Sequence, residues 1–334
     1  MLQPVWHPES LAARMPFLHR RSELIQATRA FFIANGFTEV ETPYAVRTPG
    51  EEVHLHAFAT QRERTDGTRE NLWLHTSPEF AMKKLLVAGA GKIFQLAKVW
   101  RNAEGSALHS HEFTMLEWYH PGQNFAALMD ETENFVRAVL PPTVTSRGIA
   151  TSLERFDRIT VAEAFARHAG VDVLATADNA EALAAQAQTK LRQNETWEDL
   201  FFRLLLEKIE PQLGRTNPTF LTHWPAAQAA LARRNPADPR VAERFELFIA
   251  GIELANAFHE LTDPVEQRAR FTADRACRHA LSGAPDWPLD EDFLAALAHG
   301  MPASSGIALG FDRLAMLAAG ADRIDQVLWL PLTD

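Results

Sequence analysis

Three short stretches of this chain carry residues that could do chemistry. In KVWRN (98–102) and HEFTMLEWY (111–119), Arg101 ends one strand and faces a second. On the second strand Phe113, Met115, Glu117 and Tyr119 share a face by period-two alternation. A carboxylate set between an aromatic ring and a tyrosine on a buried strand needs a partner. An arginine and a carboxylate across a hairpin also read as a plain salt bridge. The segment between the strands, Asn102 to His111, is longer than the usual hairpin loop of about two to five residues, which marks it as functional. It carries Glu104 and His109, with Glu112 just beyond. His109 and His111 suit a phosphate-facing or solvated role better than a metal pair.

The second stretch, FELFIAGIELANAFHEL (245–261), spaces Glu246, Glu253 and Glu260 seven apart in an apolar run. A heptad helix with one solvated face accounts for that spacing. The β-branched and aromatic content, with Gly251 inside, favours strands. Residues seven apart on a flat strand face opposite sides, so a bulge is needed to bring Glu246 and Glu253 together. Converging carboxylates repel unless a cation sits between them, and Mg²⁺ on substrate phosphates is the usual solution. The third stretch, SSGIALGFDRLAMLAAG (304–320), places Gly310 and Arg313 where a strand meets a helix, an arrangement that suits a phosphate. Asp-Arg at a helix start is also ordinary capping chemistry.

These residues need elements to hold them. Residues 22–35 read as an amphipathic helix with Leu24, Ile25, Thr28, Phe31 and Phe32 on one face, Ser22 as cap and Gly36 as terminator. Residues 37–42, 53–59 and 71–75 read as strands. Ser77-Pro78 starts a helix with Ser77 at the N-cap. Residues 92–101 and 112–119 form a hairpin, 124–140 is a helix, and Pro141-Pro142 through Gly148 is a break. Residues 160–214 are mostly helical, opened by a Thr160–Glu163 capping box. Residues 244–260 read as one strand or two with a bulge, and 264–281 and 290–298 as helices. A strand from Gly306 to Phe311 leads into a final helix. The expected fold is α+β: one domain over 1–334, an antiparallel sheet flanked by helices, with a helical insertion over about 141–240.

Composition narrows the function classes. Of 334 residues, 46% are hydrophobic and 23% charged, which excludes a disordered chain, a collagen and a disulfide scaffold. No apolar run reaches the roughly 18 residues that cross a bilayer. The N-terminus lacks the basic start and apolar core of a secretory signal, and Cys277 is the single cysteine. A cytoplasmic address follows as the default. With 33 basic and 43 acidic residues the net charge is −10, which offers no broad basic surface for nucleic acid. A basic partner or a cationic substrate fits better.

In their order along the chain these stretches resemble class II aminoacyl-tRNA synthetases of the lysyl branch. GFTEVETP (36–43) is similar to motif 1 at the dimer interface, the stretch over about 98–119 to motif 2, and GIALGFDRLAML (within about 306–319) to motif 3. The 245–261 stretch is similar to the lysyl segment that binds metal and amino acid. With motif 1 ending at Pro43 there is no room for the anticodon-reading module that precedes it in lysyl-tRNA synthetases. That pattern is similar to the elongation factor P–lysine ligases, a paralogous family that activates β-lysine with ATP and transfers it to a lysine side chain of elongation factor P.

The resemblance implies roles residue by residue. Arg101 and Arg313 are the catalytic arginines, on the α- and γ-phosphates. Asn102, Glu104, His109, Glu112, Phe113 and Gly310 complete the ATP site, with Phe113 against adenine, and Glu246 and Glu253 hold Mg²⁺. Ser77, Glu79, Glu117, Tyr119, Asn256, Phe258, Glu260 and Ala308 form the amino-acid pocket. Glu260 takes the ε-ammonium, because an unpaired buried charge costs several kcal/mol. Ser77 and Ala308 depart from the usual alanine and glycine of lysyl-tRNA synthetases, and Ala308 crowds an α-amino group in favour of β-lysine. The loop ALHSH (107–111) also departs. The implied protein is an AMP-forming ligase and a homodimer, with ATP, Mg²⁺, elongation factor P and β-lysine or lysine as partners, and no tRNA or membrane. Its rivals are a paralogue with tRNA or a carrier protein as acceptor, and a non-catalytic amino-acid sensor. Sensors typically lose residues equivalent to Arg101, Glu246, Glu253 or Arg313, all present here.

Overall fold

The computed structural model describes residues 4–282 and 287–332; the first three residues of the N-terminal stretch read for a signal lie outside them. In chain order the elements are α1 (Pro8–Ala34), β1 (Thr38–Glu39), β2 (Ala45–Val46), β3 (Ala59–Glu63), β4 (Arg69–Leu74), α2 (Glu79–Val87), β5 (Ile93–Trp100) and β6 (Glu112–Pro121). Then come α3 (Phe125–Val139), β7 (Thr143–Ser146), β8 (Ile149–Ser152), β9 (Asp157–Thr160), α4 (Val161–Ala169), α5 (Ala180–Gln186) and α6 (Trp197–Leu204). The chain closes with β10 (Thr219–Pro225), β11 (Val241–Ile249), β12 (Ile252–His259), α7 (Pro264–Ser282), α8 (Glu291–Gly300), β13 (Ser304–Gly310) and α9 (Phe311–Ala319). Expected as a single domain, the chain divides by its contacts into two compact units, Met1–Asn124 with Leu261–Asp334, and Phe125–Glu260.

In the first unit β5, β6 and β13 pair antiparallel, and β1 adds to β5 in parallel. Helix α1 starts at Pro8, well before the expected residue 22, because His7 caps it and Pro16 is tolerated inside. Its buried stripe is Leu18, Arg21, Leu24, Thr28 and Phe32. Phe32 stacks on Phe94 of β5 at 4.9 Å and meets Trp118 of β6 at 5.0 Å. Arg21 forms a buried ion pair with Asp312 of α9, and its other guanidinium nitrogen reaches Thr114 Oγ1 at 3.0 Å. Asp312 also accepts the Thr114 N–H at 2.8 Å, so α1, β6 and α9 share one buried polar knot. Capping, the alternative expected of Asp312, is not its use. The sequence overextended two strands: β1 spans two residues, and 53–59 is irregular up to the start of β3 at Ala59.

In the second unit β10, β11 and β12 pair antiparallel and β9 adds to β10 in parallel. Within each unit the parallel pairs are β1–β5 in the first and β9–β10 in the second. The expected helical stretch 141–240 holds α4 to α6, but strands occur at both its ends. The Pro141–Gly148 break is the first arm and turn of a hairpin, β7 with β8, where Arg147 and Gly148 take positive φ. The capping box of Thr160 and Glu163 forms as expected. The four-residue strands β7, β8 and β9 carry too little alternation to stand out against the helical period of the residues that follow. Phe165, Trp197, Phe201 and Trp224 pack α4 and α6 on β10, with Phe165 and Phe201 stacked at 4.9 Å.

Candidate active site

The β5–β6 register pairs Val99 with Phe113, Ala97 with Met115, Gln95 with Glu117 and Ile93 with Tyr119. Cross-strand partners share a face, so the expected row of Phe113, Met115, Glu117 and Tyr119 is formed. The β6–β13 register adds Ala308 opposite Glu117 and Gly310 opposite Met115.

Glu117 is fully buried. Ser77 Oγ donates to its Oε1 at 2.6 Å and Tyr119 Oη to its Oε2 at 3.0 Å. Burial, with the Glu79 charge adding to it, pushes Glu117 up to about 8. Ser77 was expected as the N-cap of α2. The helix begins at Glu79, and Ser77 Oγ accepts the Glu79 N–H at 3.0 Å while donating to Glu117. One hydroxyl therefore ties the helix start to the strand carboxylate. Glu79 meets Lys83, one turn on and 1% exposed, at 2.5 Å. Burial raises Glu79, Lys83 lowers it and Glu52 raises it. Lys83 was missed, although its i,i+4 spacing from Glu79 was legible.

The Arg101 guanidinium lies over the Phe113 ring at 5.3 Å. Among the described residues Arg101 Nε is buried with no hydrogen-bond partner. A buried, unsatisfied charged donor is costly, and a bound anion is its natural complement. Arg313 Nη2 donates to His109 Nε2 at 2.6 Å. A guanidinium only donates, so Nε2 carries the lone pair and Nδ1–H donates to Ser106 Oγ, 2.7 Å away. The 102–111 loop is thereby fastened to α9, and a second bond, Ile324 N–H to Ala107 carbonyl at 2.8 Å, extends the attachment. At Gly310 an added Cβ would lie 3.4 Å from Arg313 Cδ, in ordinary contact with that stem.

The remaining motif 2 residues divide. Asn102 is exposed, its N–H on the His56 carbonyl at 2.7 Å and its Oδ1 accepting the Ala103 N–H. Glu104 is half-buried in the loop. Glu112 is not brought together with the others. It pairs with Trp100, on the face opposite Phe113 and Glu117, and contacts Lys98 at 3.3 Å and Trp100 Nε1 at 3.2 Å. Strand alternation overrules its nearness in sequence.

In the second unit β11 and β12 form a hairpin that turns at Ala250 and Gly251, both at positive φ. Glu246 pairs with Asn256, and Arg244 with Phe258. The register then slips, so that Leu247 faces Ala255 while Phe248 faces Glu253. This is the bulge the sevenfold spacing required. It sets Glu253 on the same face as Arg244, Glu246, Asn256 and Phe258, and period two continues that face to Glu260, which is 2% exposed. Burial and the Glu253 charge both raise Glu246, and Arg244 opposes them. Arg244 was not foreseen. Its Nη2 donates to Glu246 Oε1 at 2.6 Å and its Nε to Asn256 Oδ1 at 3.1 Å. With Oδ1 committed to the guanidinium, Asn256 keeps its amide N–H groups as donors.

A carboxylate raised by burial and by a second carboxylate on its own face is a fitting seat for a divalent cation. Among the described residues no group of three or more metal-ligating side chains occurs. A site of two carboxylates suits Mg²⁺, which keeps water and phosphate oxygens as its other ligands. No helix among the described residues is long and apolar enough to cross a membrane.

The profile of the family "tRNA synthetases class II (D, K and N)" matches residues 12–334. The elongation factor P–(R)-β-lysine ligase of Edwardsiella ictaluri is 42% identical over 329 residues, 97% of this chain and 96% of its own. That of Vibrio cholerae is 42% identical over 330 residues, covering 98% and 97%. That of Klebsiella pneumoniae subsp. pneumoniae is 40% identical over 328 residues, covering 97% and 96%.

Proposed function

We propose, for a chain that belongs to the class II tRNA synthetase family of the D, K and N type, that it is an ATP-dependent ligase: it activates (R)-β-lysine as the adenylate and transfers it to a lysine side chain of elongation factor P. The observation that carries this reading is Glu117, a fully buried carboxylate met by the hydroxyls of Ser77 and Tyr119. A cationic amine is the ligand that would make an ionised Glu117 stable there.

In the first step an oxygen of the substrate carboxylate attacks the α-phosphorus of ATP, the bond to the β-phosphate oxygen breaks and pyrophosphate leaves. A carboxylate is already a nucleophile, so the chain's task is positioning and charge stabilisation. Arg101, with its unsatisfied Nε, holds the α-phosphate and the substrate carboxylate. Phe113 receives the adenine, and Arg313 leaves His109 for the γ-phosphate. Glu79, Glu117 and Tyr119 hold one substrate amine and Glu260 the other, while Asn256 offers N–H donors to an oxygen. Mg²⁺ held by Glu246 and Glu253 would neutralise phosphate charge. In the second step the neutral acceptor amine attacks the acyl carbon, the bond to the adenylate oxygen breaks, AMP leaves, and the nitrogen gives up one proton to solvent as the amide forms. The same reading makes the protein a cytoplasmic homodimer that does not use tRNA.

The test offers labelled (R)-β-lysine and ATP to the purified protein with elongation factor P and total tRNA together. Label on elongation factor P is the expected result. Label on tRNA, or on neither, overturns the assignment of the acceptor.

A further inference from the structure

Arg244 is anchored on the β11–β12 face by two aromatic rings and three hydrogen bonds. Its guanidinium lies 4.0 Å from the Trp224 ring centroid and 6.0 Å from that of Phe258. Nη1 donates to the Gln228 carbonyl at 2.8 Å, Nε to Asn256 Oδ1 at 3.1 Å, and Nη2 to Glu246 Oε1 at 2.6 Å. Aromatic stacking fixes the plane of the fork and the two acceptors fix its rotation, so the remaining arm can point in one direction only. That direction is Glu246. Only 11% of the Arg244 side chain is exposed and 9% of that of Glu246, so the pair is scarcely screened by water.

We infer that Arg244 is a positioning residue for the nucleotide-bound divalent cation, holding Glu246 in one rotamer through Oε1 so that Oε2 is left for the ion. The inference rests on the proposed reading of Glu246 and Glu253 as the metal carboxylates. Two further features separate this role from simple core packing. The bond to Glu246 uses one carboxylate oxygen, where a bidentate fork would have consumed both. The same guanidinium also sets the amide of Asn256, so one side chain aligns a metal carboxylate and an amino-acid contact on adjacent strands. Lysine could supply the charge in its place but not the fork.

The test compares wild type, Arg244→Lys, Arg244→Gln and Glu253→Ala in two measurements. Mn²⁺ binding to the ATP-bound protein is followed by electron paramagnetic resonance, and the Mg²⁺ dependence of ATP–pyrophosphate exchange is recorded alongside. The Lys variant should weaken Mn²⁺ binding about tenfold and raise half-saturating Mg²⁺ to match, while exchange at saturating Mg²⁺ falls much less. The Gln variant should lose more in both. If the Gln variant does not fold, the Lys variant decides alone. Wild-type Mn²⁺ binding in Arg244→Lys, with a lowered unfolding temperature and weakened binding in Glu253→Ala, would make Arg244 a packing residue and overturn the inference alone. Undiminished binding in Glu253→Ala would overturn the metal reading and the inference with it.

Discussion

Glu117 makes the proposed amine site accountable in protons. Burial and the neighbouring Glu79 push it up to about 8 from an ordinary 4.5. At pH 7 the ligand-free protein therefore carries a proton on Glu117 in about nine molecules of ten. A lysine-type substrate arrives with its ammonium already charged, favours the ionised carboxylate, and displaces that proton. Binding at pH 7 should release about 0.9 proton per site, and by pH 9 about 0.1. Isothermal titration in two buffers of different ionisation enthalpy counts those protons directly. The same shift affects stability. The folded-state value lies above the unfolded one, so the contribution of Glu117 is full below about pH 4.5 and is lost as pH rises through about 8. The span corresponds to about 5 kcal/mol in all, of which about 2.5 kcal/mol falls between pH 5 and 7. Glu117→Gln keeps the shape and removes the titration. Without substrate the variant should gain on wild type as pH rises from 5 to 8, read from unfolding temperatures. Binding at pH 7 with no proton release, together with a wild-type–variant gap that does not change with pH, would refute the reasoning.

Two further outcomes follow from other parts of the molecule. Arg21→Met should cost about 3–5 kcal/mol of stability, because it leaves Asp312 buried beside β6 without its cation; denaturant unfolding measures it, and a loss under about 1 kcal/mol would contradict the role given to the knot. Ala308→Gly removes a methyl directly opposite Glu117 on the neighbouring strand. It should raise use of α-lysine relative to β-lysine by roughly tenfold or more, the worth of one methylene-sized contact, and an unchanged ratio of activation rates would sink that account.

The faces of the candidate site were legible because their signals are local. Alternation on β6 placed Phe113, Glu117 and Tyr119 on one face, and the sevenfold spacing of Glu246 and Glu253, once read as strand, already demanded the bulge that the β11–β12 register contains. Turn chemistry and period two act over a few residues, so the sequence by itself determined these faces, and the family likeness of its four stretches is supported by the profile match over residues 12–334. Periodicity failed where strands are short: β7, β8 and β9 have four residues each, which carry little pattern, and β10 follows Pro218 directly and ends on Pro225. Tertiary structure alone decided that Glu112 turns away to Lys98 and Trp100, that Lys83 is buried against Glu79, and that Arg244 reaches Glu246 over the Trp224 ring. Each of those depends on which atoms are removed from water together. Desolvation is a property of the packed neighbourhood rather than of neighbours in sequence, and it is what raises Glu117 and leaves Arg101 Nε without a partner.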